Sequence, residues 1–241
     1  MRRRFQLVTN QCYHVFNKSI AGFRIFLNHH EYSRMLKTLS YYQRERVLIP
    51  FSEFLSLTDL PNPRRDQSRG LCGDETEKLV DIIAYCLMPT HFHLILRQKK
   101  DRGISAFTGR VLNSYTRYFN IKHQRKGPLW QGPFKNVLID SDRQLCHLTR
   151  YLHLNPVAAS LVKWPEQWRY SSYREYLNQK SELQMCHTED VLNITLMDYR
   201  TFVNGHIGYQ KELRAAQRIQ ATPGVGKPYR QKFCFNPLFY I

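Results

Sequence analysis

Two sets of residues in this chain have the types and spacing to do chemistry. His91 and His93 stand two apart in Tyr85-Cys86-Leu87-Met88-Pro89-Thr90-His91-Phe92-His93-Leu94-Ile95-Leu96-Arg97, where two apolar runs meet at a Pro-Thr turn. Side chains alternate across a strand, so both imidazoles project from one face and Phe92 from the other. Such a pair suits gripping one cation or one phosphate. Alone, it also reads as two structural histidines on an ordinary strand. The second set is His147, Tyr151 and Asn155 in Cys146-His147-Leu148-Thr149-Arg150-Tyr151-Leu152-His153-Leu154-Asn155-Pro156. A spacing of four lines these three up along one helix face, with Leu148, Leu152 and Leu154 left to face a core. The stripe of imidazole, phenol and amide has no evident packing purpose; an exposed stripe on a surface helix is the alternative reading.

The elements that must position these side chains are readable on either side. Gln11 to Asn17 is short and rich in aromatic and β-branched residues, which predicts a first strand. From Glu31 to Arg46, Tyr32, Met35, Leu36, Leu39 and Tyr42 recur at helical spacing opposite charged residues, an amphipathic helix that needs a sheet to cover. About 47–77 is first apolar and then rich in proline, glycine and charge without periodicity, which predicts a surface loop or insertion. Leu79 to Leu87 and His91 to Arg97 pair as a hairpin across Pro89-Thr90. Ile104, Phe107, Val111, Tyr115, Tyr118 and Phe119 trace another helix face, and Phe134 to Ile139 a further strand. Asp140-Ser141-Asp142 is an N-cap cluster for the helix carrying Tyr151. Pro156 disfavours the helical conformation at Asn155 and is expected to end that helix there, leaving the amide to point at a neighbouring site. Residues 188–216 suggest two further helices, followed by a basic stretch at 222–232 and an aromatic end.

Composition narrows the partner. Among 241 residues, 36 Lys and Arg face 19 Asp and Glu, a net charge of +17 and a pI near 9.8, as a polyanion-binding surface requires. The excess is concentrated: ten cations, Arg97, Lys99, Lys100, Arg102, Arg110, Arg117, Lys122, Arg125, Lys126 and Lys135, accompany one acid, Asp101, between Arg97 and Ile139. That one-sided run favours phosphate contact, and the tyrosines among it offer stacking platforms for unpaired bases, whereas Phe107 and Phe119 read as core. No 18-residue apolar run, basic amphipathic terminus or signal-peptide core is present, so no membrane partner is expected and cytoplasmic residence, nucleoid-associated when bound to DNA, is. The six cysteines form no C-x-x-C pair, which argues against a zinc finger or a disulfide framework.

Six blocks in order carry a family resemblance: Tyr13-His14-Val15, Leu87 to His93, Tyr115 to Asn120, Gly127 to Phe134, Tyr151 to Val157, and Ser171-Ser172-Tyr173. Together they resemble the single-tyrosine HUH transposases, specifically the REP-associated tyrosine transposase branch. The resemblance runs from about residue 5 to residue 177. It leaves the loop at 47–77 and the C-terminal remainder unmatched. It implies an α+β fold, a central antiparallel sheet of the RNA-recognition-motif or ferredoxin-like kind with packed helices. The domain organisation it implies is a catalytic domain over 1–177 and a mainly helical extension over 178–241.

Carried onto this chain, the resemblance makes His91, His93 and Asn155 the metal ligands and Tyr151 the nucleophile. Family members often carry glutamine where Asn155 stands, and tryptophan where Tyr170 stands. The implied ion is Mg²⁺ or Mn²⁺, although zinc would also suit the imidazoles. The implied reaction is attack of Tyr151 on a phosphodiester of single-stranded DNA at hairpin-forming repeats, giving a 5′-phosphotyrosine and a free 3′-hydroxyl, by a monomer or homodimer. A free phenol has a pKa of about 10, so its proton needs a destination, with His147 as a possible base.

Competing assignments are weaker. Tyr115 and Tyr118 also lie in the basic segment, but neither is followed four residues on by an amide that precedes a proline. His153 reads as a neighbouring core or surface histidine, and His14 receives no role. A histidine-triad hydrolase would want a third alternating histidine where this chain has Ile95. A domesticated DNA-hairpin-binding protein that has kept the fold without the reaction is the non-enzymatic alternative.

Overall fold

A computed structural model describes residues 7–58, 77–179, 181, 183–193, 195 and 198–212. The two apolar runs flanking Pro89-Thr90 form an antiparallel hairpin of β2 (Val80–Met88) and β3 (His91–Gln98). β1 (Cys12–Lys18) pairs with the other edge of β3, and β4 (Lys135–Ile139) with the other edge of β1, giving one antiparallel sheet in the order β2-β3-β1-β4. In this order β3 is inserted between β1 and β2, the split βαβ arrangement of ferredoxin-like sheets.

Apolar side chains stand on both faces of the sheet, most fully in β2, whose residues are all buried. Val15, Ile82, Tyr85, Phe92, Leu94 and Leu96 pack beneath α1 (His29–Tyr42) and α3 (Gly103–Lys122), which contribute Met35, Leu36, Leu39, Ile104, Phe107, Val111 and Tyr115. Asn28 caps α1 by accepting from the Glu31 backbone N–H. α3 begins at a glycine because a Cβ on Gly103 would collide with the Leu79 carbonyl. The opposite face belongs to α4 (Asp142–Ala158), through Leu145, Leu148, Leu152 and Leu154 against Ile83, Ala84, Cys86, Met88 and Ile95. A register shift between Ile82 and Ala84 turns both Ile83 and Ala84 toward this side.

The C-terminal elements stand behind α4. α5 (Tyr173–Tyr176), α6 (Glu189–Leu192) and α7 (Tyr199–Asn204) supply Tyr173, Tyr176, Val191, Tyr199 and Val203 to the same apolar cluster. Residues 170–172 line the outer edge of β2, where Leu87 N–H donates to the Tyr170 carbonyl (2.9 Å) and Ser172 N–H to that of Tyr85 (3.0 Å). The strand edge is thereby closed to other chains.

Two expectations are corrected. α4 does not stop at Asn155 but runs through Pro156 to Ala158. Proline there removes one backbone bond in the last turn, while Pro156, Val157 and Ala158 are all buried. The turn is closed instead by Ser160 in the left-handed conformation (φ 58°), with Leu161 N–H donating to Pro156 and Ser160 N–H to Val157, a Schellman cap without glycine. The expected loop contains a helix, α2 (Phe51–Thr58), whose Phe51 packs on Tyr41 beneath the Arg34 guanidinium. The remainder of that loop, 59–76, and the basic and aromatic tail beyond 212 lie outside the described residues. No helix among the described residues is long and apolar enough to cross a membrane.

Candidate active site

The histidine strand is set at its turn. Ile25 N–H donates to the Pro89 carbonyl and Ser19 N–H to that of Thr90, both at 2.8 Å, so the segment after β1 holds the hairpin tip from outside. His91 is partly exposed and His93 is buried. Their rings stand perpendicular with centroids 5.1 Å apart. The Nδ1 of His91 is 3.0 Å from Thr90 Oγ1, and that of His93 is 3.0 Å from the Nε2 of His14 on β1. With Nδ1 engaged in both rings, Nε2 is the nitrogen each ring would offer to a cation. His14 is 1% exposed, and burial lowers its pKa to about 3, so the ring is neutral at physiological pH.

α4 delivers the phenol. Ser141 caps the helix by accepting from Gln144 N–H, and the Gln144 side chain returns the bond to Asp140 N–H. Three turns on, the partly exposed Tyr151 ring lies 6.2 Å from that of His93, nearly perpendicular to it. Asn155 follows one turn later and is 2% exposed, and its Nδ2 has no hydrogen-bond partner. An unsatisfied buried amide costs about 1–3 kcal/mol. Rotating the amide exchanges nitrogen for oxygen, so the same position offers a carbonyl to a cation. Among the described residues no three His, Cys, Asp or Glu side chains group as a metal site. A cation held by His91 and His93 would need a third ligand of another type, and the Asn155 amide fits that requirement.

His147 is placed differently. Its Nδ1 accepts from the Arg150 guanidinium (2.6 Å), whose other amine meets His206 (3.0 Å) while its carbon lies 4.5 Å from the Phe202 ring centre. Burial first, then the Arg150 charge, lower the His147 pKa. Because Nδ1 accepts from a group that only donates, the neutral ring carries its proton on Nε2, which makes that edge a donor and not a base. His153 is fully buried, sharing hydrogen bonds with Tyr199 Oη and Ser172 Oγ, both 2.8 Å. Tyr115 is buried under α1, its hydroxyl donating to the Ile25 carbonyl and its pKa driven far up by burial, and Tyr118 sits in the same layer below Arg34. Neither tyrosine shares the histidine face.

The ten cations of the basic run do not form one surface. Arg97 pairs with Asp190 (2.7 Å), Lys99 with Asp81 (3.6 Å) and Lys100 with Glu45 (3.1 Å), at the end of β3 about 20 Å from His91. Arg102 adjoins them, and Arg110 donates to the Arg44 and Glu45 carbonyls. Arg117, Lys122, Arg125 and Lys126 belong to α3 or the turn after it; Lys122 pairs with Glu31 (3.0 Å) and Arg125 braces Asn120 and the Pro128 carbonyl. Of the ten, Arg97 and Lys135 share the site face: Arg97 stands at the far end of β3 from His91, held by Asp190, and Lys135 pairs with Phe16, which pairs with His93. Lys18, absent from the sequence-level candidates, pairs with His91 and is exposed on that same face. Strand alternation from His14 through Phe16 to Lys18 is the signal that marks it.

A four-stranded antiparallel sheet bearing two histidines under a helix-borne tyrosine defines an α+β protein with a two-imidazole, one-phenol site. Over 128 residues the chain is 30% identical to a protein of Haemophilus influenzae described as a REP-associated tyrosine transposase, covering 48% of this chain and 70% of that relative. The chain belongs to the REP-associated tyrosine transposase family. A solved structure of a REP-associated tyrosine transposase bound to a REP hairpin matches it with a TM-score of 0.47 and 15% identity, over 77% of this chain and 89% of that one. No protein-family model matches the chain.

Proposed function

We propose that the protein is a metal-dependent transposase that cleaves and rejoins single-stranded DNA at hairpin-forming repeats through a 5′-phosphotyrosine. The observation that carries this reading is the Tyr151 ring beside His93, with Asn155 one helical turn on. Membership of the transposase family supports it. His91, His93 and the Asn155 carbonyl would hold Mg²⁺ or Mn²⁺, which supplies Lewis-acid polarisation of a phosphate oxygen. Lys18 and Lys135 flank the histidines across the sheet and neutralise the phosphates on either side of the scissile one. Tyr151 Oη attacks phosphorus, the bond from phosphorus to the 3′-oxygen breaks, and the phenolic proton ends on that oxygen as a 3′-hydroxyl. The new phosphotyrosine keeps the energy of the phosphodiester, so attack by a different 3′-hydroxyl reverses the step and joins strands without a nucleotide cofactor. One nucleophile permits one such linkage per site at a time. Packing of α4 against β2 and β3 pre-positions the phenol, which is what this chemistry asks of the protein.

The test is a labelled single strand carrying a hairpin-forming repeat from the DNA flanking the gene, incubated with the protein and Mn²⁺. A denaturation-resistant protein–DNA adduct is expected for wild type and Tyr115→Phe, and none for Tyr151→Phe. An adduct that survives Tyr151→Phe refutes the assignment of the nucleophile. Tight hairpin binding with no adduct under any condition moves the reading to a non-catalytic hairpin-binding protein.

A further inference from the structure

A third histidine lies against the proposed ligand pair, and nothing in the reaction above uses it. His14 comes from β1, where the register sets it opposite Ile95 and sets Phe16 opposite His93. Its ring is nearly parallel to that of His93, with centroids 5.1 Å apart and planes 14° apart, and it stacks on Phe16 at 4.8 Å. Its Nε2 is 3.0 Å from His93 Nδ1. The backbone ladder between β1 and β3 thus holds the two rings edge to edge.

We infer that His14 is a positioning residue that locks His93 in the tautomer and rotation a metal ligand needs. A hydrogen bond between two neutral imidazoles has one donor and one acceptor. When His93 donates from Nδ1, its Nε2 carries a lone pair, and the His14 proton sits on its own Nδ1. The reverse arrangement puts a proton on His93 Nε2, which then has no lone pair for a cation. Metal-bound histidines commonly donate their second nitrogen to a carboxylate or carbonyl, an outer contact that orients the ring and raises its basicity. A carboxylate at residue 14, a position that is 1% exposed, would bury a negative charge, whereas an imidazole accepts the bond without one. His91 takes its outer contact from Thr90 of the same turn, so each ligand ring has its own partner. The inference rests on the metal-site reading for its purpose but not for its geometry.

The test uses the full chain without DNA. Long-range ¹H–¹⁵N spectra of metal-free wild type report the His93 tautomer directly, and calorimetry reports Mn²⁺ affinity. Wild type is expected to show His93 as the Nδ1–H form. His14→Phe, which keeps the ring and its stack on Phe16, is expected to show mixed tautomers and to bind Mn²⁺ roughly 10- to 100-fold more weakly. His14→Gln, whose carbonyl again accepts from His93, should restore most of that loss. Wild-type His93 found as the Nε2–H form overturns the inference, whether or not either variant folds. Unchanged Mn²⁺ affinity in a folded His14→Phe protein also overturns it. Wild type that binds no Mn²⁺ but shows His93 as Nδ1–H supports the lock and sinks the metal reading instead.

Discussion

His153 should make the stability of this fold depend on pH in a way that one substitution reverses. The ring is fully buried between α4, α7 and the segment beside β2, and burial lowers its pKa to about 3 against an ordinary value of 6.5. Above pH 6.5 neither folded nor unfolded chain protonates it, and the network with Tyr199 and Ser172 contributes in full. Below pH 6.5 the unfolded chain takes up a proton that the folded chain refuses, so stability falls by about 1.4 kcal/mol per pH unit until the folded pKa is reached. Between pH 7.5 and pH 5 this one group removes roughly 2 kcal/mol. His153→Phe keeps the volume and leaves Ser172 Oγ bonded to Tyr85, but strands the Tyr199 hydroxyl, a cost of about 1–3 kcal/mol at neutral pH. The variant should therefore be less stable than wild type at pH 7.5 and draw close to it at pH 5. Urea denaturation in metal-free buffer across that range measures both curves. Parallel curves would mean that folded His153 protonates normally, and the reasoning fails.

Other substitutions separate site from scaffold. Lys18→Ala and Lys135→Ala should each lower the slope of log affinity for single-stranded DNA against log salt by about 0.7, while Lys100→Ala, beyond the far end of β3 from His91, leaves it unchanged; filter binding at several salt concentrations decides. Ser160→Gly relieves the left-handed serine that closes α4 and should stabilise the fold by up to about 1 kcal/mol, read from the thermal midpoint. Asn155→Leu removes an unsatisfied buried amide, so the metal-free protein should be at least as stable as wild type while Mn²⁺ binding, followed by calorimetry, is lost. Lower stability with intact binding would show that the amide serves packing.

What the sequence makes legible here is whatever a local period controls. Alternation places His91 and His93 on one face, and a spacing of four brings Tyr151 and Asn155 into line, since both rules act within one strand or one helix. The same rules mislead where a partner from elsewhere decides. His147 keeps the spacing, yet it is held by Arg150, which His206 from beyond α7 braces in turn. Counting charge along Arg97–Ile139 predicts one basic surface, but Asp81, Asp190 and Glu45 claim three of its members across the fold. The end of α4 is misread for a different reason: proline is a visible stop signal, whereas a serine in the left-handed position is an invisible one. His14 and Lys18 are the instructive cases, because their strand and its alternation are both readable from sequence. Nothing local says that β1 is inserted next to β3 instead of β2, and only that pairing brings His14 to His93 and Lys18 to His91. A split βαβ sheet therefore hides from sequence reading which residues of β1 stand beside His91 and His93, because strand order, and not any local period, decides it.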